Sequence, residues 1–208
     1  MRKKERAELL IQALKEKYPK AICSLTAQTP FELLVATRLS AQCTDARVNL
    51  VTPALFDNYR SLDDYCNADV RDIEAIIKSC GFYHAKARDI IEMAKGVKER
   101  FNGIVPDNIE DLTSLQGVGR KTANLIIGDV YGKPAVVADT HLIRISNRMG
   151  LCDSKDPKKV EEELKKILPP DESNDFCHRC VLHGRETCTA RKADCENCVC
   201  NEWCKKII

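Results

Sequence analysis

Residues 115–124 read Leu115-Gln116-Gly117-Val118-Gly119-Arg120-Lys121-Thr122-Ala123-Asn124. Two glycines flank one small apolar residue, between an apolar segment ending at Leu115 and a stripe resuming at Ala123, Ile126, Ile127 and Val130. Glycine adopts φ > 0 without steric cost, so the pair predicts a tight turn that presents bare N–H groups at the start of a second helix. Such a turn can hold a phosphate, but glycines packed into a plain helix corner read the same way. It is not a Walker A loop, because Arg120 separates Gly119 from Lys121 and no strand precedes it.

Outward from this turn the chain shows helical periodicity and no run of alternating β-branched residues. Leu9, Leu10, Ala13 and Leu14 mark a first helix. Thr29, Pro30 and Glu32 open a second with an N-cap, a proline at the first helical position and an acid three residues after the cap. Stripes follow at Val48, Val51, Leu55 and Phe56, at Val70, Ile73, Ile76 and Ile77 before Gly81, and at Ile90, Met93, Ala94, Val97 and Phe101. A short helix is expected from Pro106 to Leu115, and Val160, Leu164 and Ile167 close the series before Pro169 and Pro170. The expected fold is all-α, with about ten helices.

The 208 residues are 44% hydrophobic and 31% charged, which suits a folded core and excludes a disordered tail protein. No segment approaches the ~18 apolar residues of a membrane span, and the basic N-terminus lacks the apolar core of an export signal. A cytoplasmic location follows as the expectation, with no membrane partner. The net charge of +2 conceals blocks: +4 over 1–21, −4 over 57–77, +3 over 113–150, −3 over 153–175 and +2 over 177–208. Three basic blocks suit a nucleic-acid footprint if they share a face, and ordinary solvated helices if they do not.

Twelve cysteines are unusual for a reducing compartment, and seven of them lie between Cys177 and Cys204. Cys188-x6-Cys195-x2-Cys198-x5-Cys204 suits a cubane iron-sulfur cluster held by four thiolates. Zinc through Cys177-x2-Cys180 and Cys195-x2-Cys198 is the rival, although the spacing between those pairs is short for a zinc ribbon. Cys200 departs from a clean four-ligand pattern and could compete for the metal.

Two further residues carry chemistry. A lysine such as Lys121 is nucleophilic only when neutral, so desolvation, a neighbouring cation or a helix N-terminus must lower its pKa from about 10.4. A phosphate contact is the simpler reading of the same residue. Asp139 ends the apolar run PAVVAD, where a carboxylate is either a helix cap or a catalytic group. His141 and Arg144 follow within the next turns, with structural or phosphate-binding roles open to both.

The glycine turn resembles the helix-hairpin-helix module, which grips a backbone phosphate without reading bases. With PFELLVATRLSAQCTD at 30–45, GFYHAKA at 81–87, VADTHLIRISNR at 137–148, LHGRETC at 182–188 and the cysteine loop, most of the chain resembles the endonuclease III family of DNA glycosylases.

That resemblance implies a bifunctional DNA glycosylase and AP lyase that removes oxidised pyrimidines from duplex DNA in base excision repair. Lys121 would attack C1′ and form a Schiff base, Asp139 would assist, and β-elimination would cut 3′ to the lesion. Cys188, Cys195, Cys198 and Cys204 would hold a [4Fe-4S] cluster supporting a DNA-contacting loop with Arg185, Arg191 and Lys192. Gln42 would fill the gap left by the flipped nucleotide, Phe82 would be an apolar wedge where the family often has leucine, and Gly117, Gly119, Arg120, His141 and Arg144 complete the expected DNA contacts.

The implied fold has a helical domain over 22–133 and a second domain from 1–21 plus 134–208, with Lys121 and Asp139 drawn from different domains. The implied partner is damaged or abasic double-stranded DNA, bound by a monomer, nucleoid-associated in a prokaryote. An adenine-mismatch glycosylase is disfavoured: Lys121 is present, VATRLSAQ carries no acid, and the chain ends shortly after Cys204. A non-catalytic DNA-binding iron-sulfur protein would tolerate loss of Lys121. Cys43, Cys177, Cys180 and Cys200 receive no role.

Overall fold

The computed structural model describes residues 1–207 and divides into two compact units, one over Ser24–Tyr131 and one joining Met1–Cys23 to the chain from Gly132 onward. Eleven α-helices are present among the described residues, with two short 3-10 turns and one isolated antiparallel bridge, Cys188 with Ala193. No described helix is long and apolar enough to cross a membrane.

The central unit holds α2 (Pro30–Ser40), α3 (Asp45–Asn58), α4 (Leu62–Cys66), α5 (Val70–Ile77), α6 (Tyr83–Arg100), α7 (Ile109–Thr113) and α8 (Arg120–Asp129). Helix α2 starts as its sequence predicts: the Thr29 hydroxyl accepts from the Glu32 N–H at 3.2 Å, and the Glu32 carboxylate accepts from the Thr29 N–H at 3.3 Å. Helix α6 buries Ala87, Ile90, Ile91, Met93, Ala94 and Val97 and packs on α4 and α5, while α2 packs on α3 and α8. Gly96 lets α6 approach the hairpin, since a Cβ there would lie 2.9 Å from Leu115 Cδ2.

The helix expected from Pro106 begins later. Asn108 is its N-cap, accepting from the Asp111 N–H at 2.9 Å, and α7 ends at Thr113. A side-chain cap decides the start, and the proline lies ahead of it.

The terminal unit holds α1 (Lys3–Lys17), α9 (Thr140–Arg148), α10 (Pro157–Lys165) and α11 (Ser173–Glu186), with α11 packed on α1 and α9. Helix α11 carries no stripe of aliphatic residues. Phe176, Cys177, Cys180 and His183 provide its buried face. Glu172 and Lys15 pair, and Glu172 also receives Arg179 NH1 at 2.7 Å, tying α1 to the start of α11.

Candidate functional site

In the central unit the hairpin turns at Gly117, whose φ of +75° favours glycine. Gly119 does not share this geometry. Its φ is −92° and ψ 171°, extended backbone at the N-cap of α8, so it serves by lacking a side chain rather than by adopting the left-handed region. No side chain caps α8. The carbonyl of Gly119 accepts from the Ala123 N–H at 2.9 Å, which sets the first turn with Arg120 and Lys121 exposed at its first two positions. An uncapped glycine start with two exposed cations is a geometry suited to an anion.

Asp89 of α6 supports this turn from below. It accepts from Arg38 Nε at 2.7 Å and from Gln116 Nε2 at 2.9 Å. Arg100 adds bonds to the Ser114 carbonyl at 3.1 Å and hydroxyl at 2.8 Å. The hairpin is therefore anchored at residues on its approach and by buried Val118, while Gly117 and Gly119 at its tip are exposed.

Gln42 and Phe82 sit at two other turns of the same unit. Both are exposed, Phe82 at 67%, and both take left-handed backbone, with φ of 54° and 48°. Non-glycine residues in this region are uncommon and strained, and such strain is concentrated at functional sites. His84 Nδ1 meets Glu74 Oε2 at 2.8 Å. Lys86, which shows no chemical signal in the sequence, lies buried beneath both turns, bonded to the carbonyls of Leu39 and Cys80 at 2.8 Å each. The thiols of Cys43 and Cys80 are neighbours there, and burial, reinforced by Cys43, pushes the Cys80 thiol up to about 11.

In the terminal unit, Asp139 is the N-cap of α9, half-buried, with Oδ1 accepting from the Leu142 N–H at 2.7 Å. The residue is therefore a cap, and its second carboxylate oxygen is not needed for that bond. His141 and Arg144 face α11, where a Cβ on Gly184 would fall 2.6 Å from His141 Nδ1 and 2.7 Å from Arg144 NH2. Arg144 turns inward: NH2 donates to the carbonyls of Gly184 at 3.0 Å and Cys188 at 3.1 Å. Its visible work is to close the end of α11. Arg185, Arg191 and Lys192 are exposed, as a phosphate-contacting loop requires.

The C-terminal loop forms an open pocket lined by Cys188, Cys195, Cys198, Cys200, Cys204 and His183, among others. Cys177 and Cys180 are core residues of α11, with the Cys177 thiol donating to the Ser173 carbonyl at 3.1 Å. This disfavours the zinc pairing considered for them. Burial raises the Cys204 thiol, the Lys206 N–H opposes it, and Cys198, Cys188 and Cys195 add to the rise. A tetrahedral zinc ion with Zn–S near 2.3 Å would need sulfurs about 3.8 Å apart. Among the described residues, the group whose donor atoms all lie within 4.8 Å of one another is His183, Cys198 and Cys200. Cys188, Cys195 and Cys204 fall outside that group but line the same pocket as Cys198. Hydrogen bonding from Cys200, then from His183, holds the Cys198 thiol down at about 4.

A family model described as HhH-GPD superfamily base excision DNA repair protein matches residues 35–170. An endonuclease III of Synechocystis sp. is 44% identical over 203 residues, covering 97% of this chain and 93% of that protein. An endonuclease III of Escherichia coli strain K12 is 38% identical over 205 residues, covering 99% and 97%. A solved trapped endonuclease III–DNA covalent intermediate gives a TM-score of 0.92 at 39% identity, covering 99% of this chain and 97% of that one. A thermostable thymine-DNA glycosylase, 21% identical with a TM-score of 0.87 over 97% and 96% of the two chains, shares the fold.

Proposed function

The chain belongs to the HhH-GPD superfamily of base excision DNA repair proteins, in its endonuclease III branch, and is a DNA glycosylase; from that premise we propose that it is also an AP lyase acting on oxidised pyrimidines. The observation that carries this reading is Lys121, exposed in the first turn of a helix whose N-cap is a bare glycine.

The amine of Lys121 attacks C1′ of the damaged nucleotide. The N-glycosidic bond breaks, the base leaves with its electron pair and takes up a proton, and the sugar ring opens to a protonated imine. The imine acidifies the C2′ proton, and its loss expels the 3′ phosphate by breaking the C3′–O bond. Asp139 stabilises the positive charge that develops on the sugar during base loss. Its cap bond fixes one carboxylate oxygen and so orients the other.

The substrate is duplex DNA, bound by a monomer in the cytoplasm at the nucleoid. The hairpin around Gly117, Gly119 and Arg120 grips a backbone phosphate, as do Arg185, Arg191 and Lys192 of the cysteine loop. Gln42 and Phe82 occupy the space vacated by the flipped nucleotide, offsetting lost stacking and pairing of a few kcal/mol. Domains correspond to residues 22–133 and to 1–21 plus 134–208. Cys188, Cys195, Cys198 and Cys204 hold a [4Fe-4S] cluster, which supplies four metal–thiolate links that give the loop its shape.

Borohydride trapping tests the reading on duplexes carrying thymine glycol, an abasic site or a mismatched adenine. A covalent adduct on the first two that disappears in Lys121→Ala is expected. Base release without any trapped adduct would leave a glycosylase and reject the lyase, and a preference for mismatched adenine would reject the substrate class.

A further inference from the structure

Lys86 lies in the first turn of α6 with 1% of its surface exposed. A buried ammonium is tolerated only where acceptors replace water. Its two acceptors come from separate parts of the chain, the Leu39 carbonyl in the last turn of α2 and the Cys80 carbonyl at the end of the 3-10 turn Lys78–Cys80. Both are at helix termini, where carbonyls lack an intrahelical partner and carry partial negative charge. Burial lowers the pKa of Lys86, and the thiols of Cys43 and Cys80 oppose that effect.

Each tied carbonyl stands just before a strained, exposed residue. Leu39 precedes Gln42, and Cys80 precedes Phe82, with Gly81 between them also at positive φ, +67°. Tying a carbonyl two or three residues from each left-handed position limits how far that turn can move. One buried cation therefore holds both turns to the same point.

We propose that Lys86 is a positioning residue for base extrusion, holding the Gln42 turn and the Phe82 turn in one register so that both side chains enter the duplex together. The inference rests on the reading that these two side chains fill the space left by the flipped nucleotide. Lys86 acts through them and touches no reacting atom. Its loss burdens the extrusion step, so duplex substrates suffer more than a sugar that is already unpaired.

The test compares single-turnover excision of thymine glycol from a duplex with borohydride trapping at a preformed abasic site in a single strand. Wild type, Lys86→Met, Gln42→Ala and Phe82→Ala are measured in both, with thermal melting as the control for folding. Lys86→Met is expected to slow duplex excision by about tenfold to a hundredfold, the scale of a ~1 Å misplacement, with a much smaller loss in single-strand trapping. Added to the Gln42→Ala, Phe82→Ala double variant it should cost little more, because it acts through those residues.

A well-folded Lys86→Met that excises normally, while Gln42→Ala and Phe82→Ala are slow, overturns the positioning role. Equal losses in the two assays overturn it as well. Normal excision by Gln42→Ala and Phe82→Ala instead removes the gap-filling reading, and the role of Lys86 falls with it. Should Lys86→Met not fold, Lys86→Arg keeps the charge and donors at a different reach; slow duplex excision is expected from it, and a normal rate overturns the proposal.

Discussion

Arg38 and Asp89 form an ion pair, 2.6 Å between NH2 and Oδ2, directly under the glycine turn of the hairpin. A Cβ on Gly117 would lie 3.0 Å from Arg38 Cδ and 3.1 Å from Asp89 Cβ, so the pair is the floor on which the turn rests. The side chains keep 20% and 15% of their exposure, between a surface pair worth under ~1 kcal/mol and a buried one whose disruption costs about 3–5 kcal/mol. Asp89→Ala leaves Arg38 without its carboxylate and releases Gln116. A loss of about 2 kcal/mol in denaturant unfolding is expected, together with weaker binding to undamaged duplex. Unchanged unfolding and binding would remove the pair from the account of the hairpin.

The two hairpin glycines should respond differently to a methyl group. Gly117→Ala meets both the left-handed φ of +75° and contacts at 3.0 Å, so a stability loss of about 1–3 kcal/mol is expected. Gly119 has an ordinary φ of −92° and open space around its Cβ position. Gly119→Ala should melt within a few degrees of wild type, yet weaken duplex binding by about tenfold, or ~1.4 kcal/mol, because the methyl projects where a phosphate would approach. Equal melting losses in the two variants would contradict the assignment of separate roles.

The observed cap and the proposed charge-stabilising role of Asp139 can be separated by substitution. Asp139→Asn retains an oxygen able to accept from the Leu142 N–H, whereas Asp139→Ala deletes the cap and should cost about 1 kcal/mol. Both should slow base excision, and only the alanine variant should also lose stability. Single-turnover excision with parallel melting curves measures the two effects. An asparagine variant with wild-type excision would leave Asp139 as a cap alone.

What the sequence made legible follows from how local each signal is. Thr29, Pro30 and Glu32 announced the start of α2 because capping is settled within four residues. Pro106 misled because proline is tolerated ahead of a helix as well as in its first turn, and the Asn108 cap decided the matter. Helix α11 was hidden because its buried face is built from Cys177, Cys180 and His183, types that read first as metal ligands. Lys86 was invisible for a different reason. Its burial depends on carbonyls of Leu39 and Cys80, which only the folded chain brings to one point. Arg144 has the composition of a phosphate contact, and its turn toward Gly184 and Cys188 is likewise a tertiary fact.

Glu172 gives the terminal unit an acid sensitivity with a defined sign. Hydrogen bonding from Lys15 first, and from Arg179 next, holds its carboxyl below the ordinary value of 4.5. A depressed folded pKa contributes stability that is present above the unfolded value and is lost as pH falls through the folded one. The difference in unfolding free energy between wild type and Glu172→Gln should be flat above about pH 5.5 and shrink on acidification below 4.5. Urea melts across that range measure it, and a difference that stays constant down to pH 3 would show that the pair with Lys15 is not formed in solution.

Arg148 should decide whether the cysteine loop retains the proposed cluster. NH1 donates to the Thr189 carbonyl at 2.7 Å and to Cys188 Sγ at 3.3 Å, and NH2 donates to the Ala190 carbonyl at 3.2 Å. The carbonyl of the same residue lies 3.5 Å from Cys204 Sγ, so one residue of α9 stands beside the first and last of the four expected ligands. A metal ligand held by outer bonds loses about 10- to 100-fold in affinity when those bonds are removed. Arg148→Met keeps the apolar stem beside the pocket and deletes all three donors. Purified protein should then carry substoichiometric iron and acid-labile sulfide, with faster loss of both to a chelator, while α9 and its Asp139 cap remain folded by circular dichroism. Arg148→Lys, with one charged group in place of a planar fork, should fall between the two, since it can serve one carbonyl but not the sulfur and both carbonyls together. Full iron and sulfide in Arg148→Met, with wild-type resistance to the chelator, would mean that the loop is closed by the cysteine ligands without help from α9.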